Sequence, residues 1–173
     1  DMGMDFIGPH TFNVGRFLVG FLTLLPFFLL FELKKIKKKK IDNRKAFSYL
    51  VLLGFILGVG QALQQISLIY TDVANTGVFT VMYVLMVPFI SYFIFSKKIH
   101  WSVWPAVVFC LIGGLLLSEL KNISVRYGDM LSILSAFCWA FHIIYIRRTV
   151  EFFDFPITIA MSQCFVAFLF TIL

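Results

Sequence analysis

The run FSYLVLLGFILGVGQALQQISLIY, residues 47–70, decides the fold because none of its side chains carries a formal charge. A helix of about 20 apolar residues crosses the roughly 30 Å hydrocarbon core of a bilayer. The run does not alternate between apolar and polar residues, as the strands of a membrane β-barrel do. It therefore predicts a transmembrane helix.

The rest of the chain repeats this pattern. Its 173 residues are 60% hydrophobic and 14% charged, whereas a soluble domain has about 25% charged residues. This composition excludes a soluble fold, a disordered chain and a nucleic-acid-binding domain. We predict an all-α, polytopic membrane helix bundle. Its six transmembrane helices are expected at residues 11–31, 47–70, 77–95, 102–118, 129–146 and 156–173.

Most of the basic residues fall in three of the connecting loops. Eight lie between residues 34 and 45, and the others are Lys97, Lys98, Arg147 and Arg148. Loops rich in lysine and arginine stay in the cytoplasm. Six helices of alternating direction place all three loops on that side. The first loop contains the run KKIKKKK, which also suits an anionic lipid surface or a nucleic-acid arm, but its position favours a topology anchor.

The two ends of the chain resemble each other. Residues 9–25 align with residues 156–172 without a gap, so that Pro9 meets Pro156 and Thr11 meets Thr158. The two segments are five helices apart, and an odd number of crossings inverts the second copy. Inverted repeats are typical of secondary transporters. The repeat implies one further helix before Asp1 and three after Leu173. The start at Asp1 and the end within an apolar run likewise indicate a fragment of a longer protein.

The second predicted helix concentrates polar residues on one face. Gly54, Gly58, Gln61 and Gln65 follow helical spacing, and Gln64 is adjacent to that face. One interpretation is helix packing through small residues, with amide hydrogen bonds to a neighbouring helix. The other is a polar lining for a solute cavity, because an amide both donates and accepts hydrogen bonds. The sequence leaves both open.

The fifth predicted helix has the same character. Ser132, Ser135, Trp139 and His142 share one face. A tryptophan in the middle of a span offers a flat surface for stacking, and a histidine there titrates near neutral pH. Ordinary packing and a hydrogen bond to a neighbouring helix are the structural alternatives.

Tyr83 and Pro88 lie on the third predicted helix. Tyr83 shares a face with two threonines, and Pro88 permits a kink that suits a transporter hinge.

The sequence contains no motif for enzyme chemistry. The three cysteines, Cys110, Cys138 and Cys164, stand singly, so they indicate neither a disulfide framework nor a metal site. No phosphate-binding loop, zinc-protease motif or serine–histidine–aspartate grouping is visible. We expect no enzyme activity, no cofactor and no metal.

Two stretches resemble the EamA family of the drug/metabolite transporter superfamily. They are QISLIYTDVANTGVFTVMYVLMVP, residues 65–88, and GDMLSILSAFCWAFH, residues 128–142. The resemblance implies ten helices in two inverted repeats. Residues 1–127 are then the first repeat without its first helix, and residues 128–173 are the start of the second. Residues 96–99, SKKI, depart from the family in lacking a glutamate that many members carry there.

The resemblance implies a secondary transporter of the bacterial inner membrane that exports small metabolites or amino acids by alternating access. The expected partners are that solute and the lipid bilayer. The candidate solute-binding residues are Gln61, Gln64, Gln65, Tyr83, Trp139 and His142, with Pro88 as a hinge. One alternative is an organellar sugar-phosphate or nucleotide-sugar exchanger, for which only Arg16 supplies a deep cation and the sequon at Asn122 would face the lumen. Another is a non-transporting membrane scaffold.

Overall fold

The computed structural model describes residues 8–39, 42–94, 96, 100–117 and 126–172, and all its regular elements there are helices. The all-α prediction is confirmed. The elements are α1 (Pro9–Phe27), which continues through a π-helical turn (Phe28–Glu32) into α2 (Leu33–Lys38), then α3 (Asn43–Tyr70), α4 (Val73–Val81), α5 (Tyr83–Phe93), α6 (Val103–Leu117), α7 (Tyr127–Phe152) and α8 (Pro156–Ile172).

Four continuous helical stretches are long and apolar enough to cross a membrane. They are His10–Lys38, Asn43–Tyr70, Val73–Phe93 and Tyr127–Phe152, while α8 is apolar but shorter. Large apolar side chains point outward along the helices, and Leu116, for example, is 80% exposed. Such a surface suits hydrocarbon rather than water. The predicted membrane helix fold is therefore confirmed.

The chain forms two compact units. Unit 1 contains residues 1–62 and 145–173, and unit 2 contains residues 63–144. The long helices α3 and α7 each contribute to both units. The division at residue 127 that the repeat suggests concerns the relatedness of two halves, and it stays a prediction.

In unit 1, glycines bring α3 against α8. A Cβ atom placed on Gly54 would lie 2.4 Å from the Cβ of Val166, and one on Gly58 would lie 2.9 Å from a ring carbon of Phe170. Only glycine allows this approach, so these two residues serve helix packing. The later glycine meets the later α8 residue, and the two helices therefore run in the same direction.

The helix α1 packs against α8 in the opposite direction. The rings of Phe21 and Phe165 lie 5.2 Å apart, while Glu32, at the end of the π-helical turn that continues α1, reaches the first turn of α8. If six spans alternate in direction, the first span and the sixth run in opposite directions, as α1 and α8 do. A buried cluster closes this end of unit 1. It contains Ala46, Leu53, Phe153, Phe155 and Ile159.

In unit 2, the first turn of α7 lies against the last turn of α3. A Cβ atom on Gly128 would lie 2.7 Å from the carbonyl oxygen of Ser67 and 2.9 Å from the backbone nitrogen of Thr71. Here too a glycine permits the close approach of two backbones.

The third predicted span is divided into α4 and α5 at Met82, whose N–H bonds to the oxygen of Phe79 at 3.2 Å. Pro88 lies inside α5. The interruption precedes the proline by about one and a half turns, which is the side on which a proline disturbs a helix. The role of Pro88 as a hinge stays a prediction.

Candidate functional site

Hydroxyl and amide groups join α3 to α4 within unit 2. The Gln64 amide donates to Thr80 Oγ1 at 3.3 Å, and the hydroxyls of Ser67 and Thr76 share a hydrogen bond of 3.4 Å. Ser67 also donates to the carbonyl oxygen of Gln64 at 2.7 Å. Polar groups in hydrocarbon need such partners. Gln64, a predicted solute ligand, thus has a structural partner on α4.

Gln65 lies beside this network but differs from it. The side chain is only 8% exposed, and its Oε1 atom accepts no hydrogen bond from any residue that the structure describes. A buried acceptor without a partner costs about 1–3 kcal/mol. An unsatisfied group of this kind marks a position where a further donor is expected.

Gln61 lies one turn before Gln65 on the same face of α3 and is also buried. It belongs to unit 1, whereas the other predicted solute ligands belong to unit 2.

Trp139 and His142 come together on α7. Their ring centroids are 5.7 Å apart and their planes are nearly perpendicular. His142 is buried, and the indole Nε1 of the half-buried Trp139 is buried with no hydrogen-bond acceptor among the described residues. Ser132 and Ser135 are fully buried on the same helix. The predicted polar face of this helix therefore points inward.

The two unsatisfied atoms lie at different levels. Along α3, Gln65 is about 6 Å from the contact with Gly128, whereas Trp139 is three turns, about 16 Å, along α7 from that glycine. Their backbones are therefore separated by about 10 Å or more. A solute that touched both side chains would lie between these two levels.

The remaining predicted positions are less enclosed. Tyr83 is the first residue of α5 and is half-buried, and Arg16 on α1 is exposed. The loop residues Lys97 and Lys98, and the sequon at Asn122, lie outside the described residues.

Glu32 is a buried acidic residue that sequence reasoning did not single out. Its side chain is 5% exposed and accepts three hydrogen bonds from the first turn of α8. The donors are the backbone N–H of Ile157 at 3.1 Å, the N–H of Thr158 at 2.7 Å and the Thr158 hydroxyl at 2.6 Å. These are helix N-terminal donors that lack partners within their own helix. No local sequence signal reveals the contact, because more than 120 residues separate the partners.

A second buried carboxylate, Asp129, lies at the start of α7. It accepts hydrogen bonds from the Thr71 hydroxyl at 2.6 Å and from the backbone N–H of Arg126 at 2.9 Å. The Arg126 guanidinium in turn pairs with Asp72 at 2.8 Å. The local signal for the backbone contact is an acidic side chain in the first helical turn, which is one half of a capping box.

Asn13 is a further buried polar residue outside the candidate set. It is fully buried on α1, and both atoms of its amide lack hydrogen-bond partners among the described residues.

The comparisons with known proteins concern the family of the chain. The chain matches the EamA-like transporter family over residues 1–119. It is 25% identical over 168 residues to an uncharacterized transporter of Archaeoglobus fulgidus, and the match covers 97% of this chain and 49% of that protein. The chain thus spans about half the length of that relative. No solved structure matches.

Proposed function

The chain belongs to the EamA-like transporter family, and from this premise we propose that it forms part of a secondary transporter for a small metabolite or amino acid. Its long apolar helices make the chain a multi-pass membrane protein. We further propose that the transporter works by alternating access in a bacterial inner membrane and that it acts as an exporter.

The observation that carries the proposal is the pair of buried, unsatisfied atoms in unit 2. Gln65 Oε1 is an acceptor and Trp139 Nε1 is a donor. An amino acid carries a complementary donor in its ammonium group and a complementary acceptor in its carboxylate. The indole face adds a surface for the apolar part of the solute or for its cation.

The other candidate residues take supporting roles. Gln64 and Tyr83 hydrogen-bond the polar ends of the solute, and His142 senses or relays protons. Gln61 stays a candidate solute ligand within unit 1. In the same proposal Pro88 is the hinge.

The chemistry of the buried groups favours a neutral or zwitterionic solute. The buried polar side chains of unit 2, as far as the structure describes it, are hydroxyls, the amide of Gln65, an imidazole and Asp129. A sugar-phosphate exchanger needs buried cations, and the one arginine on α1, Arg16, is exposed. The hydrogen bond between Gln64 and Thr80 supports a second candidate, a non-transporting scaffold whose amides pair only with other helices.

Transport by the full-length protein in proteoliposomes tests the proposal. We expect Gln65→Ala and Trp139→Ala each to lower the uptake and export of a labelled amino acid about tenfold, because each removes roughly one hydrogen bond to the solute. Phe137→Ala is the matched control, since this side chain is exposed on the same helix as Trp139.

Unchanged transport by both variants would remove the site assignment. The scaffold candidate is tested separately by thermal unfolding of the purified protein with a panel of amino acids. A transporter is stabilised by its solute, whereas a scaffold without a solute pocket is not.

A further inference from the structure

Two lysines in unit 1 hold their ammonium groups against aromatic rings. Lys39 Nζ lies 5.2 Å from the ring centroid of Phe155, and Lys45 Nζ lies 4.8 Å from that of Phe152. The two phenylalanines are three residues apart, at the connection between α7 and α8. Their Cα atoms are therefore no more than about 10 Å apart. Both ammonium groups therefore lie beside this connection, which we call the corner of unit 1.

The rings beneath these ammonium groups are firmly placed. Phe155 is a member of the buried cluster of unit 1, and Phe152 packs against that cluster. The ring of Phe152 also contacts Tyr49 at 5.1 Å, while the ring of Phe155 contacts Phe153 at 5.2 Å. A fixed support reduces the side-chain freedom that the lysines lose when they bind a ligand.

Basic side chains outnumber the carboxylates of Asp42, Glu151 and Asp154 at this corner. Among the described residues, neither Lys39 nor Lys45 forms an ion pair with a carboxylate. Asp42 accepts the backbone N–H of Lys45. A ring face engages only part of an ammonium group that has three donors. The same segment carries further exposed basic side chains that contact no ring of the described residues, namely Lys34, Lys35, Lys37, Lys38 and Arg44.

The corner lies where the apolar helices of unit 1 end. The helix α2 ends at Lys38, α3 begins at Asn43, α7 ends at Phe152 and α8 begins at Pro156. Helix ends of this kind lie at the level of the lipid headgroups. Phe47, two residues after Lys45, is 68% exposed and offers apolar surface for an acyl chain. A phosphate that binds here with a lipid tail gains both contacts.

We propose that Lys39 and Lys45 form a binding site for the phosphate of an anionic phospholipid headgroup. The lysines supply the charge, and Phe152 and Phe155 hold them in place. The site is separate from the proposed solute site and does not depend on transport activity. It assigns the lysine-rich segment a specific binding role in addition to its predicted effect on topology.

Thermal unfolding of the full-length protein in detergent, with added phosphatidylglycerol or phosphatidylcholine, tests the site. We expect phosphatidylglycerol to raise the Tm by about 2–4 °C and phosphatidylcholine to leave it unchanged. The double variant Lys39→Gln/Lys45→Gln is expected to lose most of this rise. The matched control, Lys34→Gln/Lys37→Gln, removes the same charge from two lysines on the other side of α2 that contact no ring of the described residues, and it should keep the rise.

Two results would overturn the proposal. An equal loss in the test and control variants would mean that the lipid responds to diffuse charge, and an equal rise with inorganic phosphate would mean that no lipid is needed. If the double variant does not fold, native mass spectrometry of Lys39→Gln and Lys45→Gln decides the matter. Each single variant should then carry less bound phosphatidylglycerol than Lys34→Gln, and equal amounts would overturn the site.

Discussion

Two buried carboxylates stabilise two helix starts, and they do so from different places in the chain. Glu32 belongs to unit 1 and reaches across from the end of the π-helical turn to the first turn of α8. Asp129 belongs to unit 2 and lies in the first turn of α7 itself, where it accepts the N–H of Arg126 and the hydroxyl of Thr71. Glu32 therefore bonds only to a distant helix, whereas Asp129 bonds both to the start of its own helix and to Thr71 on α3.

This difference indicates how each unit responds to loss of its carboxylate. The first turn of α8 has no acidic residue of its own, so without Glu32 the N–H and hydroxyl of the buried Thr158 lose their charged acceptor. The Arg126 N–H lies at an exposed residue, where water can take the place of Asp129. We therefore expect Glu32 to contribute more to stability than Asp129.

The largest effect is expected for Glu32→Ala. The substitution leaves two backbone N–H groups and one hydroxyl of α8 without their charged acceptor, and it should lower the free energy of unfolding by about 2–4 kcal/mol. Unfolding of the purified full-length protein in mixed micelles measures the change. Glu151→Ala is the control, because Glu151 is exposed and lies on a helix of the same unit.

A loss for Glu32→Ala no greater than for Glu151→Ala would contradict this role. Glu32→Gln sharpens the result, because the amide keeps one acceptor oxygen without the charge. We expect its stability to lie between those of the wild type and Glu32→Ala.

Asp129→Ala is expected to have a smaller effect, about 1–3 kcal/mol. Asp129→Ala removes two hydrogen bonds, whereas Glu32→Ala removes three. Water can also hydrogen-bond the exposed N–H of Arg126 in the Asp129 variant. Thr71→Val in a double-mutant cycle isolates the bond between the helices from the bond within α7. If the variants are additive, the Thr71 hydroxyl does not stabilise Asp129, and the carboxylate acts only on its own helix.

The same comparison shows which parts of the structure were predictable from sequence. Helices follow from uncharged apolar runs, so the run at residues 47–70 predicted most of α3, which is Asn43–Tyr70. The inward polar face of α7 followed from the spacing of Ser132, Trp139 and His142. The acidic residue in the first turn of α7 is likewise visible locally.

Contacts between distant helices were not predictable, because they depend on how each helix is rotated against its neighbour. Sequence spacing placed Gln64 and Gln65 among the candidates alike. The structure gives Gln64 a partner in Thr80 and leaves the buried oxygen of Gln65 without one in the described residues. Glu32 stands outside every predicted site for the same reason, since its partner helix begins more than 120 residues later.

The smallest effect is expected at the exposed edge of unit 2. Arg126 and Asp72 form an ion pair of 2.8 Å, but their side chains are 49% and 69% exposed. Water and salt screen such a pair, so Arg126→Ala should change the free energy of unfolding by no more than about 1 kcal/mol. Any change should shrink further at high ionic strength. The backbone N–H of residue 126 remains in this variant, so the hydrogen bond to Asp129 is retained. A loss as large as that of Asp129→Ala, unaffected by salt, would show that the arginine side chain supports the buried carboxylate, and the contrast between an exposed pair and a buried one would then fail in unit 2.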